Sequence, residues 1–341
     1  MDQLFNLPTI WYVLVGFLFM VFAILDGFDL GVGIVYLFAK KDHERRVLLN
    51  TIGPVWDGNE VWLVVGGGAL FAAFPDVYAT VFSGFYLPFF LLLFGIIFRA
   101  VAIEFRSKEP WNWWRKFWDV SFSGASILIA LIAGIALGNV LFGIPIDADH
   151  EYAGGFFNLL NPYALLVGIT TIALFAMHGS LYAHMKTTGE LNQKIKKWVW
   201  GSIIFFSLCY MSLTMTTLLF VPHIVERFKE LPWLLALPFI NLLVIANIPR
   251  SVHLGKNAIA FLMSAINIAL LMVVFGIGLY PNMVVSTNPA HSLTAFNSSS
   301  SHESLKIMLI IASIGMPFVI AYTFAIQWIF RGKVNENDLH Y

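Results

Sequence analysis

Charged residues are scarce in this chain. Asp, Glu, Lys and Arg make up 12% of its 341 residues, whereas 59% are hydrophobic, including 32 Phe and 11 Trp. A soluble domain carries about 25% charged residues, so the balance excludes a water-soluble enzyme and predicts an integral membrane protein. The formal net charge is zero, which leaves no basic face for nucleic acid. A single cysteine, Cys209, lies in an apolar run. It allows neither a disulfide within the chain nor a thiolate metal centre and reads as a small buried hydrophobe. Motifs are missing too: no phosphate-cradling Gly-x-x-x-x-Gly-Lys, no nucleophile elbow and no metal-spaced His/Cys cluster. No catalytic constellation is expected in this chain alone, and no metal site.

What is present is length in apolar runs. A membrane-crossing helix needs about 20 mostly apolar residues. Nine stretches qualify: 10–38, 54–74, 78–104, 117–141, 161–185, 196–221, 232–249, 257–280 and 305–330. They are too long, and alternate too little, for barrel strands. The first lacks a basic leader and a small-residue cleavage site, so it is expected to stay as a span. Lys and Arg favour the cytoplasmic side of short loops. With the N-terminus outside and the C-terminus cytoplasmic, all 20 basic residues except Arg227, Lys229 and Lys306 fall inside.

The expected fold is an all-α membrane domain over 1–341 with about nine transmembrane helices. Val15–Gly27 aligns without gaps on Val167–Gly179, which suggests two four-helix bundles, 10–141 and 161–280, with 305–330 as a peripheral helix. Pro88, Pro238 and Pro317 lie inside spans and predict kinks that neighbouring helices accommodate. The acidic run Asp147-Ala148-Asp149-His150-Glu151 and the stretch Asn297 to Ser301 read as surface loops.

The polar residues within these spans carry the functional signal, because a carboxylate in hydrocarbon costs about 2.5 kcal/mol or more. Asp26 and Asp29 share one helix face, and Gly27 and Gly31 allow close approach of another helix. The apolar run from Val61 to Phe74 is too short to cross alone. Its helix must begin near Pro54, a good first-turn residue, which draws Asp57 and Glu60 into the same half of the membrane. Gly66, Gly67 and Gly68 predict tight packing further along. Arg99 reaches a similar depth, with Glu104 about a turn beyond.

Asp29, Asp57, Glu60 and Arg99 can therefore meet, and two readings follow. The acids form a proton uptake route, or Arg99 neutralises Asp29 or Asp57 to fix helix register. His178 is the one histidine deep in a span; it offers an axial haem ligand or a hydrogen-bonded core residue. Met177, Met211, Met215, Met263 and Met272 read as bundle packing.

Asp26-Gly27-Phe28-Asp29-Leu30-Gly31 followed by Trp56-Asp57-Gly58-Asn59-Glu60-Val61-Trp62 closely resembles subunit II of the cytochrome bd-type quinol oxidases. Phe85-Tyr86-Leu87-Pro88, Phe98-Arg99-Ala100, Ser292-Leu293-Thr294 and Asn297-Ser298-Ser299-Ser300 extend the resemblance over the whole chain. The resemblance implies a heterodimer in the bacterial cytoplasmic membrane that oxidises quinol and reduces dioxygen to water. Subunit I of that heterodimer ligates two haems b and one haem d. It implies that this chain supports subunit I and supplies a cytoplasmic proton pathway with Asp57 at its entrance, and Glu60, Asp29 and Asp26 beyond. A structural quinone and small accessory membrane subunits also belong to that picture. The rival class is a proton- or ion-coupled secondary transporter, whose sites also lie at helix midpoints.

Overall fold

The computed structural model describes residues 6–334 and 339–341. Twelve α-helices are found among them: α1 (Leu7–Val35), α2 (Asp42–Ile52), α3 (Trp56–Ala73), α4 (Pro75–Gly84), α5 (Tyr86–Phe105) and α6 (Asn112–Phe142). They continue with α7 (Pro162–Lys186), α8 (Gly189–Phe220), α9 (Pro222–Glu230), α10 (Ala236–His253), α11 (Asn257–Leu279) and α12 (His302–Ile329). Local chemistry sets several of the starts. The side chains of Asn6 and Asn161 accept from the backbone N–H of Thr9 and Ala164 at 2.9 and 2.8 Å, capping α1 and α7 just ahead of Pro8 and Pro162. Each cap satisfies one of the first-turn donors that have no intrahelical acceptor.

Among the described residues eight helices are long and apolar enough to cross a membrane: α1, α5, α6, α7, α8, α10, α11 and α12. The expected span 54–74 forms α3. It has 18 residues, about 27 Å at 1.5 Å per residue, and its polar first turn keeps it below that standard. The expected span 78–104 is divided, because the chain leaves helical geometry at Phe85 and separates α4 from α5. Pro88 and Pro238 therefore sit in the first turns of α5 and α10. A missing N–H costs nothing there, so neither proline has to bend a helix. Pro249 and Pro317 are the prolines inside helices.

At the centre, α1 and α7 pack along each other, and α6 packs on both. Glycine makes this possible. A Cβ on Gly31 would overlap the carbonyl oxygen of Phe175 and lie 2.7 Å from the nitrogen of Gly179. Around this centre α3 packs on α1, α5 on α6, α8 on α7, and α11 on α7, α1 and α10. The expected tight packing at Gly66–Gly68 is confined to Gly66, which meets the ring of Phe19; Gly67 and Gly68 face nothing within 4 Å.

Of the methionines, Met177 is buried and Met263 packs against the main core. Met211 and Met215 lie on the outward face of α8, 66% and 60% exposed, and so do not pack this bundle. A short ribbon, β1 (Asn282–Val284) with β2 (Leu293–Thr294), leads to Ser300. There the backbone N–H and hydroxyl of Ser300 reach the carbonyl oxygens of Ala73 and Ala72 at 2.9 and 2.7 Å, tying off the end of α3.

Candidate functional site: a buried charge cluster between α1, α3 and α5

Three residues of helix separate Asp26 from Asp29, which turns them about 60° apart around α1. That angle sends them to different neighbours. Asp29, fully shielded, accepts at Oδ2 from Asn59 Nδ2 of α3 at 2.7 Å. Asp26, 1% exposed, accepts at Oδ1 from Arg99 Nη2 of α5 at 2.7 Å. The guanidinium is itself fully shielded, and its Nη1 lies 3.8 Å from Glu60 Oε1 of α3, whose side chain is 14% exposed. Since α5 packs along α6, the length of the arginine side chain is what bridges to α1. Asp57 stands exposed in the first turn of α3, one turn before Glu60.

The structure thus gathers Asp26, Asp29, Glu60 and Arg99 and leaves Asp57 at the rim. It corrects one expectation: the carboxylate that pairs with Arg99 is Asp26, with Glu60 second, and neither Asp29 nor Asp57. Asp29 is turned toward Asn59, and Asp57 is exposed in the first turn of α3. Asp29 Oδ1, Glu60 Oε1 and Arg99 Nε and Nη1 have no hydrogen-bond partner among the described residues. Buried polar atoms ordinarily have one, from protein or water. A group of such atoms around a carboxylate that is 14% exposed is chemically suited to water and to protons moving between oxygens.

Two participants were not singled out by sequence reasoning. Asn59 lies inside the Trp-Asp-Gly-Asn-Glu stretch, where the acids on either side drew the attention. Gln327 of α12 directs Nε2 at Asn59 Oδ1, 3.4 Å away, so the last helix touches the site.

A second buried network was missed altogether. Asp119, near the start of α6 and 1% exposed, accepts from Tyr36 Oη at 2.6 Å, Arg45 Nη1 at 2.6 Å and Arg106 Nε at 2.5 Å. Arg106 also donates to Asp42 at 2.8 Å, and Arg115 reaches the other oxygen of Asp42 at 3.2 Å. Partial burial pushes the Asp42 carboxyl up, but the hydrogen bond and charge of Arg106 and the charge of Arg115 outweigh it and hold it below the usual carboxylate range. The available signal was an acid at the edge of an apolar stretch, close to loops rich in arginine.

His178 is fully shielded and stacks on Phe261, with ring centroids 4.7 Å apart. Its Nδ1 is 3.0 Å from Ser264 Oγ and its Nε2 3.0 Å from the carbonyl oxygen of Ile24. Both ring nitrogens are engaged, so His178 does not fit as a haem ligand. Among the described residues no three His, Cys, Asp or Glu side chains gather as metal ligands.

The comparisons with known proteins agree with one another. The family model for cytochrome bd terminal oxidase subunit II matches residues 7–330. Cytochrome bd-I ubiquinol oxidase subunit 2 of Escherichia coli (strain K12) is 32% identical, covering 98% of this chain and 96% of that protein. Cytochrome bd ubiquinol oxidase subunit 2 of Bacillus subtilis (strain 168) is 35% identical, with 98% of each covered. A chain in the solved structure of bd oxidase from Geobacillus thermodenitrificans shares the fold, with a TM-score of 0.79 at 14% identity over 95% of this chain and 98% of that one. With a family model spanning nearly its whole length, and the two acidic motifs folded into one buried cluster, the chain belongs to the cytochrome bd terminal oxidase subunit II family.

Proposed function

We propose that this chain is the non-catalytic subunit II of a quinol oxidase in the bacterial cytoplasmic membrane, supporting a haem-bearing subunit I and delivering cytoplasmic protons toward it. The observation that carries the reading is the buried cluster of Asp26, Asp29, Glu60 and Arg99 behind exposed Asp57. In this reading α3 is the ninth span, the N-terminus is outside, and 10–141 and 161–280 are the two bundles, with 305–330 outside them. In this reading the two haems b and the haem d belong to subunit I, and His178, with both ring nitrogens engaged, ligates none of them. When bound there, the haems supply the electron transfer to dioxygen.

The residues of this chain divide the proton work. Asp57 takes a proton from the aqueous phase at its carboxylate. Glu60, one turn along the same face of α3, receives it next to the Arg99 guanidinium. The Arg99–Asp26 pair keeps one negative charge compensated, while Asp29 offers its unpartnered Oδ1 as a further acceptor and is held in place by Asn59. A structural quinone and small accessory subunits remain part of the proposed assembly.

The test is Asp57→Asn in the assembled oxidase, because an amide of the same shape cannot relay a proton. Oxygen consumption is expected to fall by about a hundredfold, the lower end of what positioned proton transfer contributes, with an unchanged haem spectrum. Normal turnover would remove Asp57 from any obligatory route. A tagged chain that elutes from native membranes without a haem-bearing partner would overturn the assignment as a whole.

A further inference from the structure

A cavity of about 330 Å³ opens at the end of the molecule where α1 gives way to α2 and where α6 begins. Its walls include Lys40, Arg45, Arg115 and Lys116 against the acids Asp42 and Asp119. Both acids are already engaged: Asp119 by Tyr36, Arg45 and Arg106, and Asp42 by Arg106 and Arg115. Lys40 and Lys116 are exposed, and no carboxylate lies within ion-pair distance of either ammonium among the described residues. The cavity therefore presents unspent positive charge over a network that holds its arginines in place. Asn112, the first residue of α6, also lines it, and no side chain caps that helix start. The first-turn N–H groups add a partial positive charge suited to an oxyanion.

The apolar surroundings say where such an anion comes from. Val120 is 54% exposed and lines the cavity, as does Leu37. Phe38 and Phe117 are exposed close by. Trp111 and Trp113, both exposed, stack with ring centroids 5.8 Å apart immediately before and within the first turn of α6. Exposed tryptophans beside basic residues mark the depth of the lipid headgroups, and basic pockets between membrane helices at that depth suit anionic headgroups.

We propose that this cavity binds the phosphate of an anionic phospholipid, with Lys40 and Lys116 as its ligands, Arg45 and Arg115 as its fixed positive floor, and the acyl chains descending past Val120 and Phe117. The site is separate from the buried carboxylate cluster and does not depend on the proton route.

The experiment is native mass spectrometry of the complete oxidase complex after detergent delipidation, titrated in separate arms with phosphatidylglycerol, phosphatidylcholine and inorganic phosphate. Phosphatidylglycerol is expected to fill one site that phosphatidylcholine does not. In Lys40→Gln/Lys116→Gln the affinity of that site should fall about thirtyfold, as expected for two basic side chains at a membrane surface. Three results would overturn the proposal. The double variant could bind phosphatidylglycerol unchanged, phosphatidylcholine could fill the site equally well, or inorganic phosphate could displace the lipid at equal concentration, which would make the ligand a free anion.

Discussion

Removing the positive charge from the buried cluster tests the geometry most directly. In Arg99→Leu, Asp26 loses the 2.7 Å contact that compensates it while remaining 1% exposed. Breaking one partner out of a buried pair costs about 3–5 kcal/mol, chiefly because the other charge is left unpaired. At about 1.4 kcal/mol per factor of ten, that is more than a hundredfold in the folded population. Glu60 also loses its neighbour, but that contact is 3.8 Å long and outside hydrogen-bond distance, so it adds less than the Asp26 pair. If the penalty is the unpaired Asp26, then Asp26→Asn/Arg99→Leu, which removes both charges, should recover most of it. Asp57→Asn/Arg99→Leu should recover none, because Asp57 is exposed and does not pair with Arg99. The assay is the amount and thermal midpoint of assembled complex in detergent, read from its visible spectrum, for the single and the two double variants. Rescue by Asp57→Asn and not by Asp26→Asn would refute the pairing, and equal stability of Arg99→Leu and the parent would refute the burial argument.

Other positions make separate predictions. Gly31→Ala should prevent assembly, because its Cβ would overlap the Phe175 carbonyl across the α1–α7 contact, whereas Gly16→Ala, with nothing within 4 Å, should leave expression of the complex unchanged. Acid should loosen α2. Partial burial pushes the Glu44 carboxyl up, but its hydrogen bonds to Lys194 and to the backbone N–H groups of Lys41 and Lys40 outweigh this and hold it below its ordinary value. A carboxyl depressed in the folded state contributes stability above its unfolded value, about 4.3, and loses it as pH falls through the folded value. Amide protection across 42–52, measured relative to intrinsic exchange at each pH, should therefore fall below about pH 4. Glu44→Gln should already exchange faster at pH 7 and show a weaker acid response; an identical acid response would rule Glu44 out as the cause.

Much of the architecture is legible in the sequence. The apolar runs announce α1, α6, α7 and α8 to within a few residues or a turn or two, and Gly27 and Gly31 announce a close helix contact. Other features had no sequence signal of that kind. The break at Phe85 lies in an apolar run, where hydropathy does not distinguish one long helix from two. Met211 and Met215 looked like core because they are apolar. In a membrane both the inward and the outward face of a helix are apolar, so periodicity does not separate them. The same ambiguity hid Gln327, whose helix looked peripheral but brings one amide to Asn59.

Composition and loop charge by themselves determined that this is a many-helix membrane chain and that its few intramembrane acids must be shielded, because charge in hydrocarbon is too costly to leave facing lipid. Which atoms shield them was decided by the tertiary structure alone. The 60° between Asp26 and Asp29 around α1, the reach of Arg99 from a helix packed on α6, and the assembly of Tyr36, Arg45 and Arg106 around Asp119 depend on helix rotation and depth. Those are set by the packing of glycine faces and aromatic side chains along the whole bundle, and no local stretch of residues encodes them.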